Sequence, residues 1–267
     1  MTPLLSRVLV AAILLPLVIG LVYLGGWWLV GLALVGGLLA LHELYVMARE
    51  LRPLVLGGYI GFVLTLLGLQ LGGLEWMFGG LLATFVFAFV VYGLGGVRQS
   101  ATTSFGVTLL GVAWVGAGIG CLLLIRDIPE FGFWAVMAVL FTVFAADTGA
   151  FFVGRTFGRH AMAPAISPKK SWEGFVGGVL AAVGTAFVIL YKDRDDFLTI
   201  SESLILGLVI ALAAVLGDLF ESSVKRDLEI KDSGRVLGGH GGMLDRLDAL
   251  LWAGPAAYYV ILAVGGA

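Results

Sequence analysis

The sequence predicts an all-α polytopic membrane protein with about nine transmembrane helices and a cytoplasmic N-terminus. Two observations predict this class. Of the 267 residues, 60% are hydrophobic and only 13% are charged, about half the charged share of a soluble domain. Nine apolar runs of roughly membrane-spanning length also cover most of the chain, whereas a buried soluble core accounts for one or two such runs.

The nine apolar runs follow one another with only a few long connections. The first run lacks a convincing small-residue cleavage site after it, so we expect a retained helix rather than a signal peptide. In chain order, the runs lie at residues 8–24, 27–47, 54–71, 76–94, 105–125, 131–153, 175–191, 204–224 and 247–264.

The basic residues are distributed unevenly between the two sides that alternating helices create. With nine helices, 13 of the 16 basic residues fall on the side of the N-terminus. The opposite side keeps only Arg126, Lys192 and Arg194, among several acids. By the positive-inside rule, the N-terminus and the basic loops are predicted to be cytoplasmic.

Polar residues divide the chain into two functional regions within one membrane domain. Residues 1–130 are predicted to be scaffold helices, in which His42, Glu43 and Gln70 are interfacial or structural. Residues 131–267 are predicted to be the catalytic region with its cytoplasmic loops. Asp147 lies within the sixth run, where an acid usually faces a polar cavity or a charged partner, although an ion pair between helices is the alternative. The single cysteine, Cys121, excludes an intrachain disulfide.

The end of the eighth run carries a polar stripe. Asp218, Glu221, Ser222 and Lys225 are spaced i, i+3, i+4 and i+7, so they share one face of a helix. Such a stripe faces protein or water rather than lipid. An amphipathic interfacial end, with Lys225 extending to the headgroups, remains the alternative.

A glycine-rich loop precedes the ninth run. Four glycines surround His240 and allow close approach of backbone N–H groups to an anion, although most such loops are flexible connections. Asp245 and Asp248 follow one helical turn apart, where acids also suit a helix N-terminus. Carboxylates, cations and glycines together predict a Mg²⁺-dependent phosphoryl or nucleotidyl transfer site.

The segment from Ser222 to Asp248, SSVKRDLEIKDSGRVLGGHGGMLDRLD, closely resembles the signature of the phosphatidate cytidylyltransferases. The segments DTGAFFVGRTFGRH and SPKKSWEG also resemble segments of that family, and the likeness extends over essentially the whole chain. Gly238-Gly239 stands where the family often has Pro-Gly. The fixed positions are filled by Ser222, Lys225, Arg226, Lys231, Asp232, His240, Gly241, Gly242, Asp245, Arg246 and Asp248.

The resemblance implies that CTP and phosphatidic acid react to give CDP-diacylglycerol and pyrophosphate. It implies an integral enzyme that requires Mg²⁺, with a second cation in the site, and that forms a homodimer. Its partners would be CTP, phosphatidic acid and membrane lipids, with no nucleic acid. We expect it in the plasma membrane with the active site facing the cytoplasm.

Roles for individual residues follow from the charge that two polyanions bring together. An ionised lipid phosphate needs no general base, so metal and basic side chains are the main requirement. The resemblance associates acids at Asp218 and Asp245 with the metal centre, so we assign a shared Mg²⁺ ion to these two, with Asp248 as a further ligand candidate. Lys169 and Lys170 either bind phosphate or simply follow the positive-inside rule. The predicted catalytic or phosphate-binding residues also include Ser222, Lys225, Arg226, Lys231, His240, Gly241, Gly242 and Arg246.

Two other functions stay open at this point. A CTP-dependent polyisoprenoid or phytol kinase would transfer the terminal phosphoryl group to an alcohol and release CDP. An ion-coupled transporter would use Asp147 and Asp218 as a relay, but the polar residues concentrate on one side of the membrane, which disfavours transport.

Overall fold

The computed structural model describes residues 3–95, 100–230, 233–234 and 241–265, with side chains from residue 12 onwards. Its helices are α1 (Pro3–Leu24), α2 (Gly26–Met47), α3 (Val55–Leu94), α4 (Ala101–Arg126), α5 (Gly132–Phe157), α6 (Trp172–Leu190), α7 (Ile200–Asp227) and α8 (Leu244–Val264). Short 3₁₀ turns occupy Arg49–Leu51 and Tyr191–Asp193. Strands β1 (Ala161–Ala163) and β2 (Ser167–Ser171) form an antiparallel hairpin.

Seven of the helices in the described ranges, α2 to α8, are long and apolar enough to cross a membrane. The prediction of an all-α polytopic membrane protein is therefore confirmed. Helix α1 contains the first predicted run, of which residues 12–24 form a shorter apolar segment. The count of nine crossings and the cytoplasmic N-terminus stay predictions.

Helix α3 contains two of the predicted runs in its 40 residues. Its backbone leaves helical geometry at Gly72 and Gly73, where Gly73 has a φ of 72°. The two halves fold back on one another and are in close contact. A Cβ added at Gly57 would lie 2.8 Å from the Ala88 Cα, and one added at Gly80 would strike the Thr65 backbone. Two glycines at the bend thus divide α3 into an antiparallel pair of apolar helices.

The described chain forms two compact units. The first comprises Met1–Leu123 and Leu228–Leu247, and its core includes the fully buried side chains of Leu41, Leu44, Phe62 and Leu66. A buried hydrogen bond from the Tyr45 hydroxyl to the Thr108 carbonyl, 2.9 Å long, joins α2 to α4. This polar group is therefore paired across helices, as a lipid-facing bundle requires.

The second unit comprises Leu124–Asp227 and Asp248–Ala267. Small residues bring its helices into close contact: Ala146 of α5, Ala182 of α6 and Ala211 of α7 form a buried cluster. The β hairpin precedes α6, whose N-terminus is capped by Ser171, which accepts a hydrogen bond from the Gly174 amide at 3.1 Å. The capped turn fixes the direction in which β2 enters the helix, and so the position of Lys170.

The proposed division into a scaffold up to residue 130 and a catalytic region after it concerns function, and it stays a prediction.

Candidate functional site

An ion pair connects the β hairpin to α7 in the second unit. The Nζ atom of Lys170, on β2, lies 2.7 Å from the Oδ2 atom of Asp218, on α7. The Ser222 hydroxyl, one turn later on α7, donates a 3.2 Å hydrogen bond to the Oδ1 atom of Asp218. The helical spacing that the sequence indicated therefore places Ser222 beside Asp218, and the hairpin supplies the countercharge.

The same ion pair borders a cavity of about 530 Å³ within the second unit. Its lining includes the charged residues Asp147, Arg155, Lys169, Lys170 and Asp218. It also includes apolar side chains of α5, α6 and α7, among them Phe151, Phe175, Val179 and Val215. A cavity lined by both kinds of residue suits a ligand that has an anionic group and a hydrocarbon portion.

Further carboxylates lie near Asp218. Asp248, on α8, lies within electrostatic range of Asp218 and Asp147. Close packing of α7 against α8 brings these carboxylates near one another. A Cβ added at Gly217 of α7 would lie 2.6 Å from the Asp248 carbonyl oxygen. Asp147, Asp218 and Asp248, from three helices, therefore form an acidic cluster whose mutual repulsion a nearby cation would relieve.

The donor chemistry of this cluster fits a hard cation, although within the described ranges no three acidic, histidine or cysteine side chains converge closely enough to enclose a metal ion. Mg²⁺ binds through few carboxylates and takes its remaining ligands from water and phosphate oxygens. An incomplete set of protein ligands is therefore compatible with Mg²⁺ binding.

The two basic residues at the end of α7 have protein partners. The Lys225 ammonium lies 2.7 Å from Oε2 of Glu221, whose side chain is almost completely buried. The Arg226 Nε donates a 3.3 Å hydrogen bond to the Ile166 carbonyl in the turn between β1 and β2. Lys225 thus neutralises a buried acid, and Arg226 contacts the turn that precedes Lys169 and Lys170.

The described residues of the loop between α7 and α8 lie in the first unit. Asp245 accepts a hydrogen bond from the Gly242 amide at 2.9 Å and from the Ser233 amide at 3.3 Å. Gly241 has a φ of 80°, a conformation that favours glycine. These bonds fix the Asp245 carboxylate at the beginning of α8, where the helix N-terminus favours negative charge.

The remaining predicted residues are either exposed or outside the described ranges. Arg246 is exposed, and Lys169 is an exposed residue of the cavity wall. Lys231 and His240, together with Asp232, lie outside the described residues.

One residue of this region was not predicted from the sequence to be part of it. Glu43, on α2, is only 3% exposed. Its Oε2 accepts hydrogen bonds from the Ser233 hydroxyl at 3.2 Å and from the Leu244 amide at 2.8 Å. An acid in the apolar run LALHELYVM was the available signal, but nothing in the sequence indicated a partner 190 residues away.

Comparison with known proteins gives a consistent assignment. The model of the cytidylyltransferase family matches residues 5–264. A phosphatidate cytidylyltransferase of Mycobacterium bovis is 36% identical, and the match covers 96% of this chain and 89% of that protein. One from Staphylococcus haemolyticus is 31% identical, with 93% of this chain and 95% of that protein covered. One from Haemophilus influenzae is 41% identical over a shorter match, 49% of this chain and 46% of that protein.

Proposed function

The chain belongs to the cytidylyltransferase family, and we propose that it carries out its reaction at the cavity where Lys170 contacts Asp218. It is a membrane nucleotidyltransferase that transfers CMP from CTP to phosphatidic acid and gives CDP-diacylglycerol and pyrophosphate. The observation that supports this location is the meeting of lysines, carboxylates and apolar side chains in one cavity.

The reaction joins two anions. A lipid phosphate oxygen attacks the α-phosphorus of CTP, a new P–O bond forms, and the bond to the β-phosphate oxygen breaks to release pyrophosphate. The second pKa of a phosphate monoester is about 6, so the nucleophile is largely ionised at neutral pH and needs no general base. Catalysis then depends on positioning and on neutralising charge, which suits the basic side chains of the cavity wall.

The lining of the cavity suits phosphatidic acid. Its apolar residues include Phe151 and Phe175, beside which the glycerol and the first carbons of the acyl chains would lie. Lys169, Lys170 and Arg155 would face the phosphate. Lys170 already holds the negative charge of Asp218, so it is positioned to transfer its contact to a phosphate when a cation binds the carboxylate.

Magnesium is part of the proposal. Asp218 and Asp245 are the proposed ligands, with Asp248 as a third candidate, and a second cation is proposed as the family resemblance implies. A bound Mg²⁺ would neutralise phosphate charge and polarise the phosphoryl oxygens. Asp147 and Asp248 near Asp218 support a cation at Asp218, because the negative charge of neighbouring carboxylates favours one.

The other predicted residues keep proposed roles in substrate binding. Ser222 orients Asp218 through its hydrogen bond. Gly241 and Gly242 shape the turn before Asp245. Lys225, Arg226, Lys231, His240 and Arg246 remain proposed phosphate-site residues.

The cellular setting is also proposed. We propose a plasma-membrane enzyme. Thirteen of the 16 basic residues fall on one predicted side, which supports a site that faces the cytoplasm. The homodimer rests on the family resemblance alone.

The reaction is tested with the purified chain in detergent, phosphatidic acid, Mg²⁺ and CTP labelled at the α-phosphate. We expect the label in the lipid fraction. CTP labelled at the γ-phosphate is the matched control and should label pyrophosphate and no lipid. In a parallel reaction with a polyisoprenoid alcohol in place of phosphatidic acid, lipid labelled only from the γ-position, with the α-label left in CDP, would show a kinase instead.

A further inference from the structure

Glu43 is a buried carboxylate that the reaction described above does not use. It lies near the end of α2, in an otherwise apolar run, and is 3% exposed. Its Oε1 atom has no hydrogen-bond partner among the described residues. Burial of an incompletely satisfied carboxylate is energetically costly, so its presence calls for a compensating role.

The Glu43 Oε2 atom accepts hydrogen bonds from two residues of the segment between α7 and the first turn of α8. This oxygen accepts from the Leu244 amide, the first residue of α8, at 2.8 Å. The same oxygen accepts from the Ser233 hydroxyl at 3.2 Å. One carboxylate therefore connects two segments of the loop that are separate in the sequence.

Asp245 contacts the same two segments from another direction. The Ser233 backbone amide lies 3.3 Å from each carboxylate oxygen of Asp245. The Gly242 amide, just before Leu244 in the chain, donates to Asp245 at 2.9 Å. Ser233 thus bridges the two acids, with its hydroxyl on Glu43 and its amide on Asp245.

Two glycines allow this approach. A Cβ added at Gly234 would lie 2.5 Å from Oε1 of Glu43. A Cβ added at Gly242 would lie 2.5 Å from Oε2 of Glu43 and would also strike the Ser233 hydroxyl oxygen. The structure therefore gives Gly242 a packing requirement that is separate from any contact with phosphate.

We propose that Glu43 is a positioning residue, which fixes the direction of the Asp245 carboxylate through Ser233 and the first turn of α8. This inference rests on the proposed role of Asp245. Groups that orient a ligand through hydrogen bonds typically change metal affinity or activity by about 10- to 100-fold when they are removed. Glu43 orients Asp245 and does not contact the reacting groups itself. Its variants should therefore change the position of the Asp245 carboxylate and leave the reaction itself the same.

The test compares Glu43→Gln and Ser233→Ala in the purified full chain. Hydrogen exchange is measured first without metal or substrate, at the amides of Gly242 and Leu244. Both variants should exchange faster at these amides. Both should also require roughly 10- to 100-fold more Mg²⁺ for half-maximal activity, or lose that factor in turnover, and the double variant should be little worse than either single variant.

Tyr45→Phe is the matched control, because it removes one buried hydrogen bond from the same helix without touching the loop. It should lower thermal stability and leave loop exchange and the Mg²⁺ requirement unchanged. Ser233→Ala removes only a hydroxyl, so it keeps the test decisive if Glu43→Gln fails to fold. Unchanged hydrogen exchange and activity in Ser233→Ala would overturn the inference about Glu43. If Asp245→Asn is inactive in the same experiment, the proposed role of Asp245 still holds. If Asp245→Asn is fully active, the proposed role of Asp245 is wrong.

Discussion

Lys170 and Asp218 form an ion pair within the second unit, with the lysine Nζ 2.7 Å from the aspartate Oδ2. Their side chains are 22% and 37% exposed, and both residues border the cavity. Partly exposed pairs contribute little to folding, about 0–1 kcal/mol. The pair is therefore better explained by the charge balance of the site than by stability.

Lys170→Met tests this interpretation. We expect turnover to fall by about 10²-fold, because a cation facing the phosphates is lost, while the melting temperature changes little. Lys169→Met is the matched control, since Lys169 is its exposed neighbour, and its loss should be clearly smaller. Equal losses in the two variants would indicate that the hairpin supplies only general positive charge.

Lys225 should behave differently. It neutralises Glu221, which is 1% exposed, so Lys225→Met should destabilise the protein by about 3 kcal/mol in addition to lowering activity. Thermal unfolding in detergent measures the effect. Adding Glu221→Gln should restore much of the stability but not the activity. Wild-type stability of Lys225→Met would show that the pair is unimportant for folding and would leave a role at the phosphates.

The predicted topology can be tested with two exposed positions of the second unit. Ala165→Cys lies in the hairpin turn, on the predicted cytoplasmic side, and Asp195→Cys lies in the connection before α7. In intact cells, an impermeant thiol reagent should label only the Asp195→Cys variant. After lysis it should label both variants. Cys121 is buried and should contribute little background. Labelling of Ala165→Cys alone in intact cells would reverse the orientation.

The sequence predicted local relationships well and distant ones poorly. The spacing of Asp218 and Ser222 predicted that they share one helix face, and the structure adds a hydrogen bond between them. A break after residue 71 between two apolar runs was also predicted, and α3 bends there, at Gly72 and Gly73. The hairpin at 161–171 was missed, because three- and five-residue strands leave little alternation to detect.

Pairings between distant residues needed the structure. Lys170 lies far from Asp218 in the sequence, and its two possible roles could not be separated by composition. Glu43 was assigned to the scaffold, yet it contacts Ser233. Such contacts depend on how helices pack, which neither hydropathy nor motif spacing encodes. The family resemblance, by contrast, was confirmed across residues 5–264.

Turnover of Asp218→Asn at limiting Mg²⁺ tests the central claim most directly. Asparagine is nearly isosteric with aspartate, so this variant changes charge with little change in shape. We expect a loss of roughly 10²–10³ in rate, a similar loss in Asp245→Asn, and a double variant little worse than either. Asp227→Asn, at the exposed end of α7, is the control and should lose much less. Near-normal turnover of Asp218→Asn, or losses that simply multiply in the double variant, would contradict the proposed roles of these acids.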